Sequence, residues 1–263
     1  MSDLFKKERD TIAAIGLLAA TYVRFDPPLK SESAVSHVHG FNVHCLIVDN
    51  SDGEVLALEQ NRIHADENPL QHAEQIGVRQ ALNRLHVKRP RPAGISVEKY
   101  YRDLLFMSPG GTPDDFVNHG CTLYNTFDPC GMCATTLLVC YMKRIAYLFE
   151  DKTFGGVYDY MRSYFKNRES LKEPLSVVDA PPGGLAGPLI EAGKLIATLR
   201  TRVVNLEAAG TPLVMTLDAL RGDLADATTL LINLRPEHLV TTDAELQRNQ
   251  RTLNDIKRLC NIA

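Results

Sequence analysis

Four side chains in two short segments of this sequence have the types and spacing to do chemistry together. His72 and Glu74 flank Ala73, and Cys130 and Cys133 occur in Pro129-Cys130-Gly131-Met132-Cys133. One imidazole and two thiols suit a tetrahedral Zn2+. Three protein ligands leave its fourth position for water, the count of a catalytic site, whereas a structural site closes itself with a fourth Cys or His. Cys121 and Cys140 are the nearest spare thiols, and neither is well placed: one begins an expected strand, the other falls two turns into an expected helix. Glu74 is not needed as a ligand. A carboxylate there can take a proton from the water and later protonate a leaving group. The implied reaction is metal-assisted hydrolysis. A lone Cys-x-x-Cys also reads as a redox pair or half of a structural zinc site, but the four residues in this order favour the enzyme.

The spacing says what must position them. Residues two apart on a helix do not share a face, so His72 and Glu74 converge only at a helix N-terminus. Cys130 and Cys133 do share a face, and Asp128-Pro129 reads as an N-cap followed by proline in the first turn. Two helix N-termini are therefore expected at one metal, where their positive ends favour thiolate over thiol. The His72 helix should run to about His86 and the Cys130 helix to about Lys143.

The segments Asn61-Arg62, Glu67-Asn68-Pro69-Leu70-Gln71-His72-Ala73-Glu74 and Thr122-Leu123-Tyr124-Asn125-Thr126-Phe127-Asp128-Pro129-Cys130-Gly131-Met132-Cys133 resemble the cytidine and deoxycytidylate deaminase superfamily. Its signature is H-x-E followed by P-C-x-x-C. Within it the likeness runs to the branch of bacterial tRNA adenosine deaminases and guanine deaminases, over roughly residues 41–178 with an interruption. The resemblance implies a substrate-binding role for the Asn61 side chain, on the base, and for the backbone N–H of Ala73. Two departures stand out. Asp128 replaces the usual Glu or Ser, and the connection between the two motifs is longer than usual.

Around the motifs, residues 3–20 read as a helix capped by Ser2, with Ile12, Ile15, Leu18 and Ala19 on one face. Residues 41–48 and 54–59 read as a hairpin, residues 121–127, 145–149 and 175–178 as further strands, and residues 157–168 as a helix. A strand, helix, strand order implies parallel pairing. The fold class expected is α/β: a three-layer α/β/α sandwich on a mixed five-stranded sheet, as in cytidine deaminases, over residues 1–180. An insertion at about 87–120, with Ser96 capping a short helix to Leu105 and turn residues at 108–113, is either a lid or subunit contact or a solvated excursion. Phe154 and Tyr158 are at helical spacing and are read as core ahead of base-stacking. His37, His39 and His44 are read as solvated, and Cys45 as core.

The segment 180–184, Ala-Pro-Pro-Gly-Gly, marks a boundary. Beyond it, residues 184–263 are all-α: Leu189, Ala192, Ile196, Leu199, Val203 and Leu206, then Leu213, Leu217, Leu220, Leu224, Ala227, Leu231 and Leu234, form two narrow seams. A weaker third seam has Leu239, Leu246, Leu253, Ile256 and Cys260, its helix capped by Thr242. The region is read as a bundle or coiled coil for assembly into a homo-oligomer, or as a cap on the sheet.

Composition narrows the function classes. With 44% apolar and 23% charged residues the chain is not a disordered one. A net charge of −3 gives no general pull towards phosphate backbones, and Lys88, Arg89 and Arg91 are the one compact basic cluster. Six cysteines, two of them assigned to metal, make no disulfide framework, and neither a secretion signal nor a spanning apolar run is evident, so a cytoplasmic location is expected. The first reading is a zinc-dependent deaminase of a small-molecule nucleobase or nucleoside, purine favoured. The alternatives are a tRNA-specific adenosine deaminase and a non-catalytic zinc-binding protein that uses its C-terminal helices for partners.

Overall fold

The computed structural model describes residues 3–25, 42–105, 120–152, 154–164, 171–178, 187–211, 217–239 and 243–262. Its strands are β1 (His44–Asp49), β2 (Val55–Gln60), β3 (Cys121–Phe127), β4 (Arg144–Phe149) and β5 (Leu171–Pro174). They form one sheet in the order β2-β1-β3-β4-β5. β1 runs antiparallel to both β2 and β3, whereas β3, β4 and β5 are mutually parallel, giving the mixed five-stranded sheet expected.

Side chains alternate across the strands with a period of two. Leu46, Val48, Tyr124, Ala146 and Leu148 enter one core with α1 (Asp3–Val23), α6 (Pro188–Ala208), α7 (Arg221–Asn233) and α8 (Asp243–Leu259). Ile47, Leu123 and Ile145 enter the other with α2 (Ala73–Lys88), α3 (Val97–Leu105), α4 (Gly131–Val139) and α5 (Val157–Tyr164). The result is the three-layer α/β/α arrangement. Among the described residues no helix is long and apolar enough to cross a membrane.

Helix α1 departs from the single-face pattern. Ala13, Ala14, Leu17 and Ala20 are buried as fully as the expected stripe, because the sheet lies on one side of α1 and α7 and α8 pack against it as well. Gly16 makes this possible: a Cβ there would stand 2.7 Å from the Ile256 side chain of α8. The C-terminal seams are filled inside the chain. Leu189, Ala192, Ile196, Leu199 and Val203, together with Leu217 through Leu234 at the expected spacing, share the core of α1 and the sheet, with Leu206 and Leu246 only partly buried. Ser2, Leu213, Thr242, the turn at 108–113 and the boundary at 180–184 lie outside the described residues.

Two element boundaries differ from expectation, each for a visible reason. The last strand is Leu171–Pro174 instead of 175–178. The latter segment is β-branched and apolar, and Leu175 N–H still bonds Tyr147 O of β4 at 2.9 Å, but Ser176 and Val178 turn to α1: Ser176 donates to Asp10 Oδ2 at 3.0 Å and Val178 to Thr11 Oγ1 at 2.9 Å. Pro174, which lacks an N–H, closes the edge strand. Helix α4 stops at Val139, well before Lys143, in a Schellman-type closure: Met142 N–H bonds Leu137 O at 2.9 Å and Tyr141 N–H bonds Leu138 O at 3.2 Å. Tyr141 takes the left-handed position (φ 58) that usually signals itself as glycine.

Arg144 locks the two halves of the chain together. Only 2% exposed, its guanidinium forks onto Asp10 of α1 at 2.7 and 2.6 Å, and its Nε reaches Glu173 of β5 at 2.5 Å. Arg144→Ala would strand the Asp10 carboxylate in a dry core, so unfolding free energy should fall by about 3–5 kcal/mol. Urea denaturation measures this, and a loss under about 1 kcal/mol would show that Asp10 finds another partner.

A candidate metal centre and its cavity

A closed loop delivers the histidine. Asn61 N–H bonds Val43 O at 3.0 Å, Arg62 N–H bonds Gln71 O at 2.9 Å, and Asn68 N–H bonds Ile63 O at 2.9 Å, so the chain between Asn61 and His72 returns on itself. His72 then takes the N-cap of α2 in extended backbone (φ −74, ψ 150). Cys130 takes the N-cap of α4 (φ −64, ψ 167), two residues later than the Asp128-Pro129 pattern predicts. Asp128 is not a cap because its carboxylate is engaged elsewhere: both oxygens bind Lys172 Nζ, at 3.0 and 2.9 Å, and Oδ2 accepts the Gly156 N–H at 3.0 Å.

The two helix starts meet. One ligand atom from each of His72, Cys130 and Cys133 lies within 4.8 Å of the others, and Cys130 Sγ is 3.8 Å from His72 Nδ1. Bond lengths to tetrahedral zinc put a sulfur and a nitrogen ligand about 3.6 Å apart. Gln75 Nε2 donates to Thr136 Oγ1 at 2.6 Å and holds α2 to α4 next to the triad. Contact with the Cys133 thiol, then with the His72 ring, holds Cys130 down at about 4. The same contact and burial push Cys133 up, and the neighbouring sulfur raises His72. Zn2+ held between these side chains would take both sulfurs as thiolates and the imidazole neutral. The donor set, its spacing and its charge fit zinc. Cys121 is buried in β3 and Cys140 ends α4, so neither joins the group.

Glu74, 4% exposed, stands in the first turn of α2. It shares a face with Gly77, where a Cβ would come within 2.6 Å of Cys45 Sγ. That close approach of α2 to the sheet brings the carboxylate to β3: Asn125 Nδ2 donates to Glu74 Oε1 at 2.8 Å, while Oε2 is buried with no partner among the described residues. Burial, ahead of the nearby sulfur charge, raises the Glu74 pKa.

A cavity of about 230 Å³ opens beside these groups. Its polar side carries Asn42, Asn61, His72, Glu74 and Asn125; its apolar side carries Val43, Ile63, Phe127, Phe154 and Leu217. Phe154 is 60% exposed and walls the cavity, against its reading as core, whereas Tyr158 is fully buried as expected. Leu217 shows that residues 184–263 reach the cavity. Asn42, Asn125 and Asp151 were not singled out from sequence. Asn125 had one signal, an amide in the middle of a strand that is otherwise built for burial.

The two residues assigned to substrate by resemblance are bonded to each other. Ala73 N–H donates to Asn61 Oδ1 at 2.8 Å, so Asn61 satisfies the first free donor of α2 across the loop. Cys45 is core, as read, its Sγ donating to Ala73 O at 3.0 Å. His44 is not solvated but fully buried, with Nδ1 at 3.2 Å from Thr21 Oγ1, and burial, then Arg24, pushes it down to about 3. His37 and His39 lie outside the described residues. Among the described residues none of α3 lines the cavity; its start is capped by Ser96 as expected, Lys99 N–H donating to Ser96 Oγ at 3.2 Å.

Residues 28–149 match the family described as the cytidine and deoxycytidylate deaminase zinc-binding region. A curated relative, the tRNA-specific adenosine deaminase of Aquifex aeolicus (strain VF5), is 26% identical over 106 residues, which is 40% of this chain. The chain spans about half, 52%, of that relative's length. Among solved structures, a guanine deaminase from Nitrosomonas europaea is 12% identical, with 84% of each chain covered and a TM-score of 0.41. A tRNA:A34 deaminase is 20% identical, covering 51% of this chain and 80% of its own, with a TM-score of 0.33.

Proposed function

We propose that residues 28–149, which carry a cytidine and deoxycytidylate deaminase zinc-binding region, make this protein a zinc-dependent hydrolytic deaminase of a free nucleobase or nucleoside. The observation that carries the reading is Glu74: a buried carboxylate outside the triad, with one oxygen held by Asn125 and the other unpartnered beside the cavity. Bound zinc supplies a Lewis acid and a water of lowered pKa. Glu74 Oε2, unpartnered beside the cavity, is placed to accept a proton and to return one to the departing amine. Asn61, with Oδ1 committed to Ala73, has its amide nitrogen left for a ring acceptor. Ile63 and Phe127 offer apolar walls for a flat heterocycle. A purine is favoured because the curated relative is named for adenosine.

At about 230 Å³ the cavity is smaller than the ~300–1,000 Å³ of sites for drug-sized ligands, which suits a single compact ring system. A small substrate is favoured over tRNA because the basic cluster is engaged at home: Lys88 binds Asp49, Asp52 and Glu54, Arg89 binds Asp49, and Arg91 bonds Ile95 O. Because the C-terminal seams are filled inside the chain, a homo-oligomer would use another surface.

Zinc-replete protein screened for ammonia release against free bases, nucleosides, nucleotides and tRNA tests the proposal. Turnover of a base or nucleoside, insensitive to salt, is expected. Inosine appearing in tRNA bound with a steep salt dependence would transfer the assignment to the tRNA enzyme. Absence of ammonia from every substrate would leave the non-catalytic zinc protein.

A further inference from the structure

Asn125 is the buried polar residue nearest the proton carrier that the family resemblance does not assign. It lies on central strand β3, fully buried and paired with β1 and β4 on either side, so its position is rigid. Its Nδ2 has two acceptors, Glu74 Oε1 at 2.8 Å and Phe127 O at 2.7 Å, which uses both amide hydrogens. The opposite end of the carboxamide must then be oxygen. That Oδ1 is buried with no hydrogen-bond partner, and so is Glu74 Oε2; both residues line the cavity. Two orphaned acceptors on residues lining one cavity call for a ligand that presents donors, since an unpaired buried polar atom is costly.

Resting on the deaminase reading, we propose that Asn125 is a specificity-determining residue whose Oδ1 accepts a hydrogen bond from the exocyclic amino group of the substrate and opposes the carbonyl of the product. In the overall reaction amino-heterocycle and water become oxo-heterocycle and ammonia: the carbon–nitrogen bond breaks, a carbon–oxygen bond forms and no electrons are exchanged. The amine must lie next to Glu74 to be protonated on leaving, which places it within reach of Asn125. Before reaction an N–H meets Oδ1. Afterwards two oxygens face one another, so Asn125 favours substrate over product and helps the product leave.

The test measures binding on zinc-loaded Glu74→Gln protein, which keeps a carbonyl for Asn125 Nδ2 and does not turn the ligand over. Calorimetry with adenine and hypoxanthine, guanine and xanthine, and cytosine and uracil gives the amino-over-oxo preference for whichever pair binds. Adding Asn125→Val, an apolar strand former without an acceptor, should reduce that preference about tenfold, with zinc content and melting temperature retained. Asn125→Ser, whose hydroxyl can still accept, should restore part of it and serves if the valine variant does not hold zinc. An unchanged preference in a zinc-replete variant overturns the role of Asn125 while leaving the deaminase standing. If no pair binds and no ammonia is released from any substrate, the deaminase reading falls and this one with it.

Discussion

Glu74→Ala should keep its zinc and its fold and lose about 10²- to 10⁴-fold in kcat, the range contributed by a positioned acid–base group. Retention of the metal is expected because Glu74 is outside the group formed by His72, Cys130 and Cys133. The turnover loss is expected because no other carboxylate occupies its place against Asn125, and water in the space left by the side chain is a poor substitute for a base held by a strand. KM should change less than kcat if Glu74 acts mainly on the transition state. Metal analysis and steady-state kinetics on the same preparation decide the matter. Near-normal kcat in a zinc-replete variant would sink the proton-carrier role and with it the proposed chemistry.

The second large effect is on the metal itself. Purified protein should carry about one zinc per chain, and both His72→Ala and Cys130→Ala should lose it, along with all turnover. Each removes one of three ligands from a site where helix N-termini, and not a surrounding web of metal-binding side chains, do the positioning. Zinc binds the folded form and so stabilises it; a metal present at a thousand times its Kd adds about 4 kcal/mol. Chelation should therefore lower the melting temperature of the native protein and leave that of Cys130→Ala unmoved. Full zinc in both variants would remove the site as drawn.

Much of the centre was legible because metal chemistry constrains residue type and spacing locally. Cys-x-x-Cys at a helix start needs only one turn of chain to converge, and the x between His72 and Glu74 requires a helix N-terminus; both are properties of a few consecutive residues. Asn61 and Ala73 were assigned to substrate by resemblance, but Ala73 does not line the cavity, and their mutual hydrogen bond joins positions on opposite sides of a loop and could not be read from either. Asn125 meets Glu74 only because Gly77 lets α2 settle on β1, a contact between segments far apart in the chain. The exposed wall residue Phe154 was misread for the same reason: helical spacing tells which residues share a face, not which face is covered.

The sequence by itself determined that His72, Cys130 and Cys133 come together, the order of strands and helices up to β4, and the mixed sheet, since each follows from periodicity or from short-range spacing. Tertiary structure alone decided where the C-terminal seams are buried, because a narrow apolar stripe is satisfied equally by a second chain or by α1 and the sheet. It decided the last strand as well: in the β-branched run at 175–178, Ser176 and Val178 give their N–H groups to Asp10 and Thr11 of a helix more than a hundred residues earlier. Leu217, in the region read as remote from chemistry, became a cavity wall through the same packing. Local spacing therefore specifies the reacting groups, while the shape of the space beside them, and hence the choice of substrate, depends on long-range contacts that side-chain periodicity does not encode.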